Sequence, residues 1–345
     1  MPKAISDKPY FQGDSIILLD KGWKQAKQLK PGDKVFTQYG GVKVKNKGPS
    51  DTKKTITIDT QFGCMECSPL CQLGIYPKGK FSTIKWKAAE VLKAGDVLCF
   101  NATPTPGTKT KLPGLGRGKR VPNLSVDIAY LLGYLQPVFS WGKAQGSSIV
   151  LKLESALDVE YLERVLKEFK VTPEVTEAGL VCNSSGDNLS YDVSSLRITD
   201  SKFLSWCKGL FYEVFPDFIK EGKKETRGAF LQGMINKNSP YEAAIYTPTL
   251  TEAEEVLGAF QSLGIRTRLI KLSQGSCKIC VDPTRGCDGD ILIHQYYGNE
   301  VVTENISPIE VLDTEISSAG SAFFVDLDNT HHLYCDGILA STVGT

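Results

Sequence analysis

The first 293 residues of this 345-residue chain contain no histidine; the three that exist are His294, His331 and His332. Imidazole is the side chain whose ordinary pKa lies closest to neutrality. Any proton transfer before residue 294 therefore falls to another group. Carboxylates are missing from residues 101–120, NATPTPGTKTKLPGLGRGKR. No apolar run approaches the roughly 20 residues that cross a bilayer, and MPKAISDKPY has no apolar signal-peptide core. The expectation is a soluble chain with no export signal and no membrane contact, cytoplasmic or part of a virus particle. A net charge of +1 gives no bulk signal for a nucleic-acid binder. What is present is globular: 41% apolar and 23% charged, long enough for two cores. Ten cysteines without a secretory signal read as reduced thiols.

Two stretches match each other, WKQAKQLKPGDKVF from Trp23 and WKAAEVLKAGDVLC from Trp86. Both read W-K-x-A-x-x-L-K-x-G-D, seven identities over eleven positions. Ala and Leu three apart predict one short helical turn. Lys-x-Gly-Asp predicts a tight turn, and a strand follows each copy. SIILL, KTITID, CQLGIYP and TIKWK alternate like strands, so residues 10–100 read as all-β with a pseudo-twofold repeat. A small barrel without chemistry satisfies this pattern equally well.

Residues 101–120 read as a Pro/Gly/Thr/Lys linker, and helical periods follow it. IAYLLGYLQPVFS (128–140) pairs with GAFLQGMINKNS (228–239), and VLKEFKVTPEV (165–175) with AFQSLGIRTRL (259–269). Each half predicts a helix with a central glycine, then strands, a helix and a further strand. Gly133 and Gly233 let two helices approach closely, because neither carries a side chain.

YFQGDSIILLDKGWKQAKQLKPGDKVF (10–36) resembles the opening block of the Hint fold, shared by hedgehog autoprocessing domains and inteins. GCMECSPLCQLGI (63–75) resembles its second block, and FFVDLDNTHHLYCDGILAST (323–342) its closing two. The doubled glycine helices resemble the LAGLIDADG homing endonucleases, often inserted inside inteins at this point. The resemblance implies a mainly β Hint-type domain, 10–105 plus 296–345, with a linker at 106–120. It also implies an inserted α+β LAGLIDADG-like pseudo-twofold domain at 121–295. A generic α+β domain with incidental glycines is the plainer alternative for the insert.

The family's splicing chemistry maps poorly onto these residues. Its first step needs Cys, Ser or Thr at the position matched by Tyr10, because attack on the adjacent carbonyl closes a five-membered ring. A phenol is too far and too stiff, and the hydroxyl of Ser15 lies past the junction. Cys71 matches the family's proton-donating histidine and Ser68 its threonine. A thiol of pKa ~8.5 is a poor acid toward nitrogen. Thr342 stands where asparagine cyclises, with Ser341 at the penultimate histidine, and His331 matches the remaining histidine. Threonine has no amide nitrogen with which to cyclise. The chain starts nine residues before Tyr10 and stops three after Thr342, so flanking segments to join are not expected.

The endonuclease carboxylates that hold a divalent cation match Val138 and Asn238. Valine cannot coordinate and asparagine offers only a neutral carbonyl. Pro137 is expected to disturb its helix end. Residues 121–270 hold 15 Lys/Arg against 19 Asp/Glu, a net charge of −4, which disfavours DNA binding even where KEGKKETR (220–227) survives as a basic strip. Residues 1–100 hold 17 Lys against 9 acids, suited to an acidic partner. Cys64-x-x-Cys67 and Cys277-x-x-Cys280, with Cys71 near the first, have zinc-like spacing. On strands, residues three apart point to opposite faces, so no metal is expected, and no cofactor. CDGDI (287–291) reads as a turn before a strand. The expected role is a catalytically degenerate intein-like protein, retained as a structural or protein-binding component of a larger assembly such as a phage particle. Residual autoproteolysis through Cys71 or His331, and a cleavage-dead DNA binder, are the alternatives. The junction changes read as drift, since engineered ones are usually to alanine.

Overall fold

The computed structural model describes residues 8–37, 40–50, 54–60, 63–77, 83–101, 105–114, 121–140, 148–153, 156–176, 194–238, 243–281, 306–318, 320–328, 330 and 332–342. In it both Trp-Lys motifs fold alike, and each shared residue has a task. Ala26 and Ala89 open short 3-10 turns and are fully buried, as are Leu29 and Leu92 beyond them. Gly32 and Gly95 sit at φ 93° and 86°, backbone that a side chain resists. Asp33 and Asp96 each accept the amide of the motif's second lysine at 2.8 Å. Each also holds the motif's first lysine: Lys24 to Asp33 at 2.8 Å, Lys87 to Asp96 at 2.5 Å. The backbones then hook matching strands, Gly32 and Asp33 to Val44, Gly95 and Asp96 to Val311.

The β domain is drawn from both chain ends. Thirteen of its 14 described strands follow one antiparallel path in which terminal segments alternate, and Lys85–Ala88 pairs beside it on Gln72–Tyr76. Tyr10–Gln12 pairs with Ala322–Leu327, placing Tyr10 opposite Phe324. Ile16–Leu18 meets His332–Cys335, and Gln72–Tyr76 meets Ile338–Ser341. The hairpin His332–Cys335/Ile338–Ser341 turns at Asp336 and Gly337, both at positive φ (49° and 77°), the conformation a two-residue Asp-Gly hairpin requires. Val97–Asn101 pairs with Ile306–Ser318, and Asn101 lies opposite Ile306. The intervening chain therefore leaves and returns at neighbouring points of one sheet.

The insert is a duplicated α+β unit. Its helices are α1 (Val126–Ser140), α2 (Ala156–Glu168), α3 (Ser201–Leu210), α4 (Asp217–Lys220), α5 (Lys224–Asn238) and α6 (Leu250–Ser262). Ile149–Leu153, Ser194–Ile198 and Glu174–Thr176 form one three-stranded sheet. Ala244–Thr247, Cys277–Val281 and Thr267–Lys271 form the other, with the same first-third-second order. One described strand precedes the second helix of each half and two follow it, the reverse of the count expected from the sequence. The halves match in detail. α2 and α6 both end on a residue of left-handed conformation, Lys170 (φ 60°) and Gly264 (φ 70°). The next amide returns to the last turn in each, Val171 to Leu166 at 3.1 Å and Ile265 to Phe260 at 3.0 Å.

α1 and α5 are buried on most of their circumference, as the central helices of a two-layer unit must be. They cross at the two glycines. A Cβ at Gly133 would fall well under 3.0 Å from the Phe230 carbonyl oxygen, and one at Gly233 equally close to that of Tyr130. Each glycine thus rests on the residue three before the other. α1 continues through Pro137 to Ser140, so the disturbance expected there is not seen. Proline removes one donor only a turn from the helix end, and Gln136 ties on to Ser140 at 3.0 Å.

Residues 105–114, part of the expected linker, are packed along the insert. Thr105 donates its amide to Ser262, and Thr108 and Lys109 donate theirs to Glu221. α6 lies on the first Trp-Lys motif: Gly258 has no side chain where the Trp23 ring sits. Trp23 Nε1 donates to Glu255 at 3.3 Å, and Gln25 Nε2 to Glu254 at 2.9 Å. One apolar cluster consequently runs from Ile16, Leu18 and Trp23 into α1, α5 and α6.

Candidate functional site

The motif repeat places two loops as twofold equivalents. Ala26 and Lys27 donate their amides to Ser15 and Gly13, while Ala89 and Glu90 donate theirs to Cys71 and Pro69. Gly13–Ser15 and Pro69–Cys71 lead into the two strands that flank the terminal hairpin. Here the structure gathers five residues singled out from the sequence: Tyr10, Ser68, Cys71, Ser341 and Thr342, all buried. The Tyr10 carbonyl accepts the Ser68 amide at 2.9 Å. The Cys71 thiol donates to the Ser341 carbonyl at 3.7 Å. Ser68 Oγ is occupied by the Leu70 amide at 3.2 Å.

Tyr10 is 1% exposed, and its phenol donates to the Lys54 carbonyl. Burial, then the neighbouring Cys67, pushes the phenol above its ordinary pKa. It remains a neutral donor anchored on a distant strand. Three thiols surround the site. Cys67 is raised well above the ordinary range by its bond to Cys71 and by burial. Cys335 is raised by burial and by Asp336. Cys67 and Cys335 are thereby held protonated, and a buried protonated thiol is inert as a nucleophile. His331 lies outside the described residues, as does 287–291. His332, the one described histidine, stacks on Trp86 with ring centroids 4.2 Å apart.

Val138 and Asn238 each lie five residues beyond their seam glycine and are half-buried. Asn238 Nδ2 turns back to the Met234 carbonyl at 2.9 Å. Beside it, Lys237 is held below the ordinary lysine range by burial and by the charge of Lys152. Lys237 and Lys152 thus place two cations near this end of the seam. Cys64 is exposed and Cys67 buried on one strand, and Cys277 is more buried than Cys280 on another. Among the described residues, no three metal-ligating side chains gather at one point.

No motif or spacing announces the carboxyl groups between the domains. Asp336 Oδ1 accepts the Ile16 amide at 2.7 Å. Burial, against these hydrogen bonds, leaves its pKa at about 6. Glu254 on α6 is pushed from an ordinary 4.5 to about 7 by burial, then by Asp14 and Asp336; Lys27 and the Gln25 bond oppose this. An acid raised on folding stabilises fully below its unfolded pKa, and that contribution is lost as pH rises through the folded value. Thermal stability therefore falls between about pH 4 and pH 7. Scanning calorimetry across this range should show Glu254→Gln flattening the slope; an unchanged slope would contradict the assignment.

No family model matches the chain, and no curated protein matches it. Solved structures do. The gp41-1 intein is similar over 27% of this chain and 68% of its own, at 20% identity and a TM-score of 0.23. I-DmoI in complex with DNA and Mn is similar over 52% of this chain and 100% of its own, at 16% identity and a TM-score of 0.35. Mesophilic variants from the homing endonuclease I-DmoI are similar over 52% and 99%, at 15% identity and 0.35.

Proposed function

We propose that this chain is a binding scaffold of intein-like and homing-endonuclease-like form in which neither peptide splicing nor DNA cleavage operates. The Tyr10 phenol carries this reading. It is tied to the Lys54 carbonyl on another strand, and its oxygen cannot close a small ring onto the preceding carbonyl. Three further features support it. The thiol at Cys71 is engaged with the Ser341 carbonyl, Thr342 has no amide nitrogen, and Val138 and Asn238 stand where carboxylates would hold a cation, with Lys237 beside them. The surplus lysine of residues 1–100 suits an acidic protein partner in a larger assembly, such as a phage particle. After overnight incubation with thiol at neutral pH, intact-mass spectrometry returns one uncleaved species. A fragment ending beside Tyr10 or Thr342, lost in Cys71→Ala, would overturn the proposal.

Lys237 and Lys152 near the seam end also favour a second reading, DNA binding without cleavage. A duplex affinity that falls steeply with salt supports it, and no shift on any duplex removes it.

A further inference from the structure

Two cavities of about 520 and 300 Å³ open between the β domain and α6 with its following strand. They share walls at Cys64, Leu257, Leu269, Lys271 and Asp336, so they are adjacent parts of one interdomain cleft region. Asp59, Asp313 and Asp336 line its larger part; Asp14, Glu66 and Glu254 line the smaller. Against these six carboxyl groups stand Arg268 and Lys271 on the walls, and Lys27, which pairs with Asp14. The cleft is acidic on balance. The upward shifts of Glu254 and Asp336 include contributions from other carboxylates on the walls, the mark of negative charge left without a counterion.

A second, independent observation points to a donor-bearing occupant. Gln261 on α6 lines the larger part, is 8% exposed, and its Oε1 has no hydrogen-bond partner among the described residues. A buried carbonyl oxygen costs free energy until a donor reaches it. The charge is spread along the walls. A single hard cation needs its oxygen ligands converged on one point, and no such group of three exists among the described residues.

From this spacing we propose that the cleft binds a linear aliphatic polyamine, with ammonium groups at the separated carboxylates, methylenes on Leu257 and Leu269, and an N–H on Gln261 Oε1. Nothing in the roles considered above predicts such a site. The chemistry of spaced ammonium groups is shared by free polyamines and by lysine side chains of a peptide, and separate probes distinguish the two.

Titration calorimetry on the full chain at low salt tests this, with spermidine, magnesium chloride and the tripeptide Lys-Gly-Lys as separate probes. Spermidine binds, and the isosteric double variant Glu66→Gln/Glu254→Gln weakens it at least about tenfold, as loss of two charge-assisted bonds implies. Gln261→Leu weakens binding several-fold while its melting temperature without ligand stays level or rises, because an unsatisfied polar atom has gone. Circular dichroism confirms that the variants fold; if the double variant does not, Gln261→Leu alone carries the test. Absence of spermidine binding, or affinity unchanged in the folded variants, overturns the site. Magnesium binding as tightly as spermidine, or the tripeptide binding more tightly, overturns the polyamine assignment.

Discussion

Arg227→Met should destabilise the protein by about 2–3 kcal/mol, the range expected when buried neutral acceptors lose their donor. Arg227 is 1% exposed, on α5, and the bonds described for it are to carbonyl and hydroxyl oxygens. Its guanidinium donates to the Thr105 carbonyl at 2.5 Å and to Thr105 Oγ1 at 3.1 Å. It also donates to Ser262 at the end of α6 and to Lys220 at the end of α4, each at 3.4 Å. The C-terminal carbonyls of helices carry partial negative charge, so two helix ends take the place of a counterion. Methionine matches the stem and relieves the desolvation of a cation, but it leaves four acceptors without this donor. Lysine does little better, since its single ammonium cannot reach a fork of acceptors. Urea unfolding of wild type, Arg227→Met and Arg227→Lys measures the cost. A loss under about 1 kcal/mol in both variants would mean that water replaces the guanidinium.

The second large effect lies at the helix crossing. Gly133→Ala and Gly233→Ala each drive a methyl group into a backbone carbonyl of the opposite helix. Backbone cannot swing aside as a side chain does, so α1 and α5 must separate. Each variant should lose about 3 kcal/mol, the upper end for overpacking. The double variant should lose markedly less than twice that, because a seam opened for one methyl already admits the other. Additive costs would show that the two contacts yield independently. Elsewhere in a helix the same substitution would stabilise by up to about 1 kcal/mol, so the sign of the result also reports on the crossing.

How far the sequence discloses this molecule depends on whether a residue's task is local. The Trp-Lys repeat was legible because its seven identities act within a dozen residues: a turn, a positive φ, a Lys–Asp pair. The glycines were legible because the helical pattern recurs around them. Arg227 was not. Within KEGKKETR it has the look of solvated charge, and its burial depends on Thr105 and Ser262, distant along the chain. The acids of TEAEE likewise resemble a helix's exposed first turn. Yet Glu254 and Glu255 reach Gln25 and Trp23. The two motif tryptophans show the limit most clearly. Trp23 is 2% exposed beneath α6, whereas Trp86, its repeat equivalent, is 36% exposed beside His332. Identical local sequence cannot announce which copy another domain will cover.

Asn101 and Ile306 face each other on adjacent strands, so a short turn would suffice to bridge them were everything between removed. Geometry thus permits the excision. Solvation does not, for Trp23, Ile16 and Leu18 share their core with the segment that would go, and the host left behind would have a bare greasy flank. The insert is joined to the sheet at one point but is held by a whole face, so it cannot be removed without a compensating change on the surface it shields.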